Sequence, residues 1–317
     1  MIWLFKDANY PFYKYKNWGY GISLGLTLLA LAVVGIRGGL RYSIDFTGGT
    51  LVQLKFDEPV ESQDLRDALS AVEGLSSSEV QRFGDPTEVV IRAQVPAGHE
   101  GEFGDRIEAH FREAPELAGR DFQVVRTEAV GPKIGQELKT QAVLAILYSL
   151  VLILIYVAFR FDLKFGVAAI VATIHDVIMS VGIFALAGKE ISLAVVAAFL
   201  TIVGYSLNDT VVVFDRIRED LRSMRRESYA TVVNAAVNQT LSRTILTSGT
   251  TLLTVLFLYL LGGSVIHDFA FALIIGIVIG TYSSIFIAAP LVVDWHRRFE
   301  EGRVSEAGAR KTKVRSR

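Results

Sequence analysis

The chain has 317 residues, 51% of them hydrophobic, a formal net charge of −1 and no cysteine. So balanced a charge gives no overall pull toward nucleic acid, and the lack of cysteine excludes disulfides, thiol nucleophiles and Cys-type zinc sites. The mean hydropathy of +0.39 is only modestly apolar, so the class must be read from where the apolar residues fall.

About 20 apolar residues cross a bilayer core. Six runs qualify, at 18–36, 142–159, 165–187, 191–214, 244–266 and 269–293. Ahead of the first, Trp3, Phe5, Tyr10, Phe12, Tyr13, Tyr15, Trp18 and Tyr20 form an aromatic collar suited to a membrane interface. Ala30-Leu31-Ala32 resembles a signal-peptide cleavage site, but the run continues through Val33, Val34 and Ile36. A retained anchor is therefore expected.

The first two runs are separated by a polar block, 37–141. Val52, Leu54 and Phe56 alternate with polar residues as a strand does, and Leu65, Ala68, Leu69 and Val72 follow at helical spacing. A short strand is expected near 79–83, and another where Val89, Ile91, Ala93 and Val95 alternate. Phe103, Ile107, Phe111 and Ala114 mark a second helix, and Phe122 and Val124 open a last strand. The order β-α-β-β-α-β predicts a ferredoxin-like α+β sandwich, a fold that hosts many functions.

Glycine-rich joints flank the block: Asp45-Phe46-Thr47-Gly48-Gly49 before it and Gly131-Pro132-Lys133-Ile134-Gly135 after it. Turn chemistry accounts for them, and so does a hinge on which the block swings. The expected organisation is 1–37 as N-terminus and first span, 38–139 as the inserted domain, 140–294 as the remaining five spans, and 295–317 as a basic tail.

Positive charge marks the cytoplasmic side. Lys6, Lys14 and Lys16 precede span 1, Arg160 and Lys164 follow span 2, and Arg216, Arg218, Arg222, Arg225 and Arg226 follow span 4. The tail from 295 carries eight more Lys and Arg, whereas the loop after span 3 has only Lys189 and that after span 5 has none. Both termini are thus expected in the cytoplasm and the inserted domain outside it. The tail reads as a solvated positive-inside segment.

Within the spans, Asp209 is the only charge in 191–214, and Arg243 is the only one between Glu227 and Asp268. An ionisable side chain at the bilayer centre costs roughly 2.5–3.5 kcal/mol on insertion scales, so it usually carries function. Thr201, Tyr205, Asn208 and Asp209 share a helical face. So do Arg243, Thr244, Thr247, Thr251 and Thr254, extended backward by Thr240; in span 3, Thr173, Asp176 and Ser180 align beside His175. Asp209 lies six residues before Asp215, about 9 Å of helix, and Arg243 lies at a matching depth, so the two are placed to meet. Other readings stand beside a relay: Arg243 snorkelling to headgroups, the threonines bonding across helices, and His175-Asp176 as a satisfied structural pair. Gly276, Gly280, Ser284 and Ala288, and Gly21 with Gly25, recur every four residues and predict close helix approach, within the chain or with another.

The sequence holds no G-x-S-x-G, H-E-x-x-H or Walker A signature, so no enzyme activity and no cofactor are expected. Work must come from an ion gradient or a partner. An aspartyl protease would need a G-x-G-D context that Asp176 and Asp209 lack.

Six spans with a large domain between the first two resembles half of an RND-type transporter. More specifically, Asp45-Phe46-Thr47-Gly48-Gly49, the Gly131-Pro132 joint with Gly135, and His175-Asp176 resemble the SecF family. So do Val203-Gly204-Tyr205-Ser206-Leu207-Asn208-Asp209-Thr210, Phe214-Asp215-Arg216-Ile217-Arg218-Glu219 and Ser242-Arg243-Thr244 with Thr247-Ser248. The resemblance runs nearly to Asp294 and implies a subunit of the bacterial inner-membrane Sec machinery. It implies SecD, the SecYEG channel, YajC, membrane lipid and an unfolded preprotein as partners, and no nucleic acid. It further implies a proton gradient driving late export, with Asp209 and Arg243 as relay, Asn208, Thr247, His175 and Asp176 in support, and Asp45, Gly48, Gly49, Gly131, Pro132 and Gly135 as hinge. Acidic groups from SecD would lie outside this chain. The residues also fit an RND-type exporter of a lipid or small solute, or a passive translocon scaffold.

Overall fold

A computed structural model describes residues 8–70, 75, 78–83, 85–93 and 103–301. Trp3, Phe5, Lys6, Val72, Val95 and the tail beyond Glu301 lie outside the described residues. The chain divides into two compact units, one drawn from Met1–Leu40, Ile146–Lys189 and Ala194–Arg317, the other from Arg41–Ala145 and Glu190–Leu193.

In the second unit, β1 (Gly49–Phe56), α3 (Ser62–Ser70), β2 (Glu79–Phe83), β3 (Asp85–Ala93), α4 (Phe103–Glu113) and β4 (Phe122–Val130) follow one another, after a single turn, α2 (Ile44–Thr47). The sheet is antiparallel in the order β2-β3-β1-β4, the ferredoxin-like arrangement expected from the sequence. Val52 of central β1 pairs with Ile91 of β3 and Thr127 of β4. One sheet face packs on the helices: Val52, Leu54, Phe56, Leu65, Leu69, Ile91, Ile107 and Phe111 form one buried cluster, each large side chain contributing roughly 1.5–3 kcal/mol. Gln53, polar and on the opposite face, is nonetheless fully buried. Its amide donates to Glu88 at 2.8 Å and accepts from Arg126 Nε at 2.9 Å, which satisfies it.

The two glycine joints pack against each other. Gly48 has φ +74° and ψ 172°, and Gly49 has φ +117°. A Cβ on Gly48 would stand 2.7 Å from Pro132 Cα, and one on Gly135 would stand 3.0 Å from Gly48 N. Glycine is needed there because two backbones meet. Gly131 is different: among the described residues nothing lies within 4 Å of its Cβ position. Pro132 takes the first position of helix α5 (Pro132–Arg160), where its missing N–H costs nothing.

Segment 190–193 belongs to this unit. Ile191 N–H donates to Arg41 C=O at 2.8 Å and Ile191 C=O accepts from Ser43 N–H at 3.0 Å. Glu190 ion-pairs with Arg92 of β3. Asp45 accepts the N–H of Leu193 at 2.8 Å. Leu193 begins helix α7 (Leu193–Ser223), so Asp45 caps that helix from 148 residues away and sets a carboxylate at its positive end. We expect Asp45→Ala to cost about 0.5–2 kcal/mol at this terminus and to speed hydrogen exchange at the Leu193 amide; unchanged exchange there would refute the cap.

The first unit contains α1 (Lys16–Ile36), the second half of α5, α6 (Leu163–Leu186), most of α7, α8 (Tyr229–Leu261), α9 (Gly263–Ser283) and α10 (Ala289–Trp295). Six helical stretches among the described residues are long and apolar enough to cross a membrane, with 266–299 counted as one. Helices outrun the apolar runs: α5 starts ten residues before residue 142, and α8 starts at Tyr229, capped by Ser228, rather than near 244. Hydropathy marks only the immersed part of a helix, and the backbone ladder continues into water. The run 244–266 is also broken, since Gly262 closes α8 and Gly263, at φ +72°, opens α9.

The aromatic collar divides in two. Tyr15 and Trp18 are exposed, as a lipid-interface belt requires. Tyr13 and Tyr20 instead donate to Asp294 at 3.1 and 3.2 Å beside its ion pair with Lys16. The backbone of Tyr10 is held by Asn238 through its N–H at 2.8 Å and its C=O at 2.9 Å. Small residues place the close approaches. A Cβ on Gly276 would run into Ile202, one on Gly280 would stand 3.1 Å from Ser206 Cβ, and one on Gly182 would meet Ala30. Gly21 and Gly25 make no such approach among the described residues; on α1 Gly19 does, 3.0 Å from Phe286 Cβ. The packing face of α1 is therefore set two residues away from the predicted glycine pair, along Gly19 and buried Ser23.

Candidate functional site

Two carboxylates lie inside the helical unit, each held by hydroxyls from other helices. Asp176 of α6 is fully buried. Its Oδ2 accepts from Ser283 Oγ of α9 at 2.6 Å and from Ser206 Oγ of α7, and its Oδ1 faces His175 Nδ1 at 2.8 Å. Asp209 of α7 is 3% exposed. Its Oδ2 accepts from Ser248 Oγ of α8 at 3.1 Å, and Ser248 in turn accepts from Thr281 Oγ1 of α9 at 2.8 Å. Helix α7 thus donates at Ser206 and accepts at Asp209, three residues apart on one face. Helix α9 serves both acids, through Thr281 and Ser283. The close contact of Gly280 with Ser206 brings the two backbones near enough for these short side chains to reach.

The helix irregularities fall beside this cluster. Immediately after Ser283 the last span widens into a π-helical stretch, Ser284–Ala288, ahead of Pro290, which has no N–H to give an α-helical ladder. Three buried polar atoms nearby, His175 Nε2, Ser180 Oγ and Tyr205 Oη, have no hydrogen-bond partner among the described residues.

The predicted residues separate. Arg243 lies within electrostatic reach of Asp209, yet it is exposed on α8 and, among the described residues, no ion pair closes between them. Thr201 and Asn208 are also exposed, so the polar face drawn through them to Asp209 splits; the buried face of α7 runs through Ile202, Ser206, Asp209 and Val213. The threonine stripe of α8 is mostly self-satisfied: Thr240, Thr251 and Thr254 donate to the carbonyls of Ala236, Thr247 and Thr250, four residues back. Thr247 is half-buried, and its carbonyl accepts from Thr250 and Thr251.

Sequence reasoning gave no role to Ser206, Ser248, Thr281 or Ser283. Ser206 carried a signal, since it precedes Asp209 by three residues. Ser248 lies one residue off the threonine stripe, and α9 reads by composition only as a packing helix; their partners become visible once the helices are placed.

A family model described as "Protein export membrane protein SecD/SecF, C-terminal" matches residues 111–298, and one described as "SecD/SecF GG Motif" matches 36–60. The chain is 46% identical to the protein translocase subunit SecF of Desulfurispirillum indicum, over 92% of this chain and 93% of that one. It is 44% identical to the protein translocase subunit SecDF of Thermus thermophilus, over 96% of this chain and 41% of the longer one. The crystal structure of SecDF, described as a translocon-associated membrane protein, from Thermus thermophilus superposes with a TM-score of 0.84 at 42% identity, covering 94% of this chain and 40% of that one. Six membrane-length helices, the inserted ferredoxin-like domain, the glycine joints and these matches lead to one conclusion: the chain belongs to the SecD/SecF family of protein-export membrane proteins, as a SecF-type subunit.

Proposed function

We propose that this subunit works with a SecD-type partner in the bacterial inner membrane to convert proton flow into a late step of preprotein movement through SecYEG. Both termini face the cytoplasm, the ferredoxin-like domain lies on the far side, and the chain acts as a coupling subunit rather than as an enzyme. The observation that carries this reading is Asp209, a carboxylate buried in a membrane-length helix and held by a chain of hydroxyls. A group so placed earns its cost by function. Each proton crossing 100 mV supplies about 2.3 kcal/mol.

Asp209 takes and releases the proton, and Arg243, which makes no ion pair with it among the described residues, is the counter-charge that approaches and withdraws. His175 and Asp176 form a second protonatable station on α6, bonded to α7 through Ser206. Asn208 and Thr247 lie beside the pair on α7 and α8 and support it. The partner of the fused relative supports an interface with SecD, which supplies the remaining acidic groups. Motion of α7 reaches Leu193 and its Asp45 cap, and the domain swings about the two glycine joints.

Vesicles depleted of the native subunit test this. Adding the chain should restore preprotein export, an uncoupler should remove the gain, and SecD and SecYEG should co-purify with it in mild detergent. Restoration indifferent to the uncoupler would show a passive scaffold, and solute transport without SecYEG would show an exporter.

A further inference from the structure

Tyr205 stands four residues before Asp209 on α7, on nearly the same face and about 6 Å away along the axis. Its hydroxyl oxygen is buried and has no hydrogen-bond partner among the described residues. A buried tyrosine O–H usually finds a partner, and leaving one unmet is unfavourable. Phenylalanine would fill the same space without that cost. The ring packs, with Tyr259 and Ile274, around Val255, Ala270 and Ile277.

These residues continue the line that holds Asp209. On α8, Ser248, Val255 and Tyr259 share one face; on α9, counted back from Thr281, so do Ile277, Ile274, Ala270 and His267. Ser248 and Thr281 are the hydroxyls that reach Asp209. The far end of the line is polar again. The ring of Tyr259 lies 4.1 Å from that of His267, whose Nδ1 faces Asp268 Oδ1 at 3.3 Å and Lys189 Nζ at 3.5 Å. Lys189 donates to the same Asp268 oxygen at 2.7 Å. All three side chains are partly exposed. Read inward from that end, the order is a polar cluster, an apolar stretch with one unmet hydroxyl, and Asp209.

We propose that Tyr205 Oη passes protons between the Lys189–His267–Asp268 cluster and Asp209, and that Val255, Ile274 and Ile277 seal this route. The route presupposes Asp209 as the proton site and the cluster at the outer end of the spans, as proposed above. When the seal parts, a hydronium ion reaches Tyr205. The hydroxyl takes its proton on a lone pair and hands its own to the Asp209 carboxylate. Water is left behind, Tyr205 ends neutral and Asp209 ends protonated.

The test uses proteoliposomes holding the full chain with its SecD-type partner and entrapped pyranine, and reads proton uptake after an outside acid step. Y205F should slow uptake about a hundredfold, the low end of what a positioned proton carrier contributes. Its melting temperature should be no lower than the parent's, since the ring stays and only the unmet hydroxyl goes. Y148F, exposed on α5, should change neither. V255T, which sets a hydroxyl into the seal at nearly the same volume, should speed uptake; unchanged or slower uptake would overturn the seal. D209N separates the route from the relay beneath it. If D209N stops uptake while Y205F matches the parent, the Tyr205 route is wrong and the relay stands; if D209N matches the parent, both fall. A Y205F variant that melts lower and holds less partner would show a structural hydroxyl and overturn the proposal.

Discussion

Asp209→Asn is expected to leave a folded, correctly assembled subunit that has lost all gradient-driven export. Asparagine keeps the volume and an oxygen that accepts from Ser248 Oγ, so the Thr281–Ser248 chain stays intact; melting should change by no more than about 1 kcal/mol. What disappears is a site that binds and releases a proton. The roughly 2.3 kcal/mol per proton available at 100 mV then has no point of entry, and export should fall to the level of vesicles without the subunit. Asp209→Glu, which keeps the titrating group but shifts it by a methylene, should retain part of the gain. Full gradient-dependent export by the Asn variant would end the relay reading of Asp209 while leaving the family assignment untouched.

The second large effect is structural. Gly48→Ala places a methyl on a backbone with φ +74° and ψ 172°, a region essentially confined to glycine, at a cost of about 1–3 kcal/mol. The same methyl would be 2.7 Å from Pro132 Cα and 3.0 Å from Pro132 N, atoms of main chain that cannot swing aside. Forced overpacking adds roughly 1–3 kcal/mol. A marked drop in the melting temperature of the full chain and rapid proteolysis between 41 and 145 should follow. Gly131→Ala, with nothing near its Cβ position among the described residues, is the control and should stay within about 1 kcal/mol of the parent. Matching behaviour of the two variants would show that the joints do not depend on the Gly48–Pro132 contact.

Much of the fold was legible because its signals are local. The apolar runs located six crossings, and the alternation of Val52, Leu54 and Phe56 located β1, because burial on one sheet face repeats every second residue. The same rule misled at Gln53, whose polar face is covered by Arg126 and Glu88 from neighbouring strands. Helix ends were less legible: α8 extends 15 residues upstream of the expected start at 244, since a helix needs apolar residues only where lipid surrounds it. At the candidate site, the sequence singled out Asp209 and Arg243 by the cost of their charge, and Asp176 by its place beside His175 on a polar face. It gave no role to the hydroxyls that hold the carboxylates, because serine and threonine hydroxyls serve equally well as interhelical donors and as partners for their own backbone. Ser248 does the first and Thr254 the second, and only helix placement separates them.

The shared wiring of the two acids has a genetic consequence. Because α7 carries Asp209 and bonds Asp176 through Ser206, while α9 bonds Asp176 through Ser283 and reaches Asp209 through Ser248, a slide or roll of either helix re-registers both sets of bonds at once. Lesions at one aspartate should therefore be repaired by second-site changes near the other, with suppressors of Asp176 defects gathering around Ser248 and Thr281 although neither residue touches Asp176.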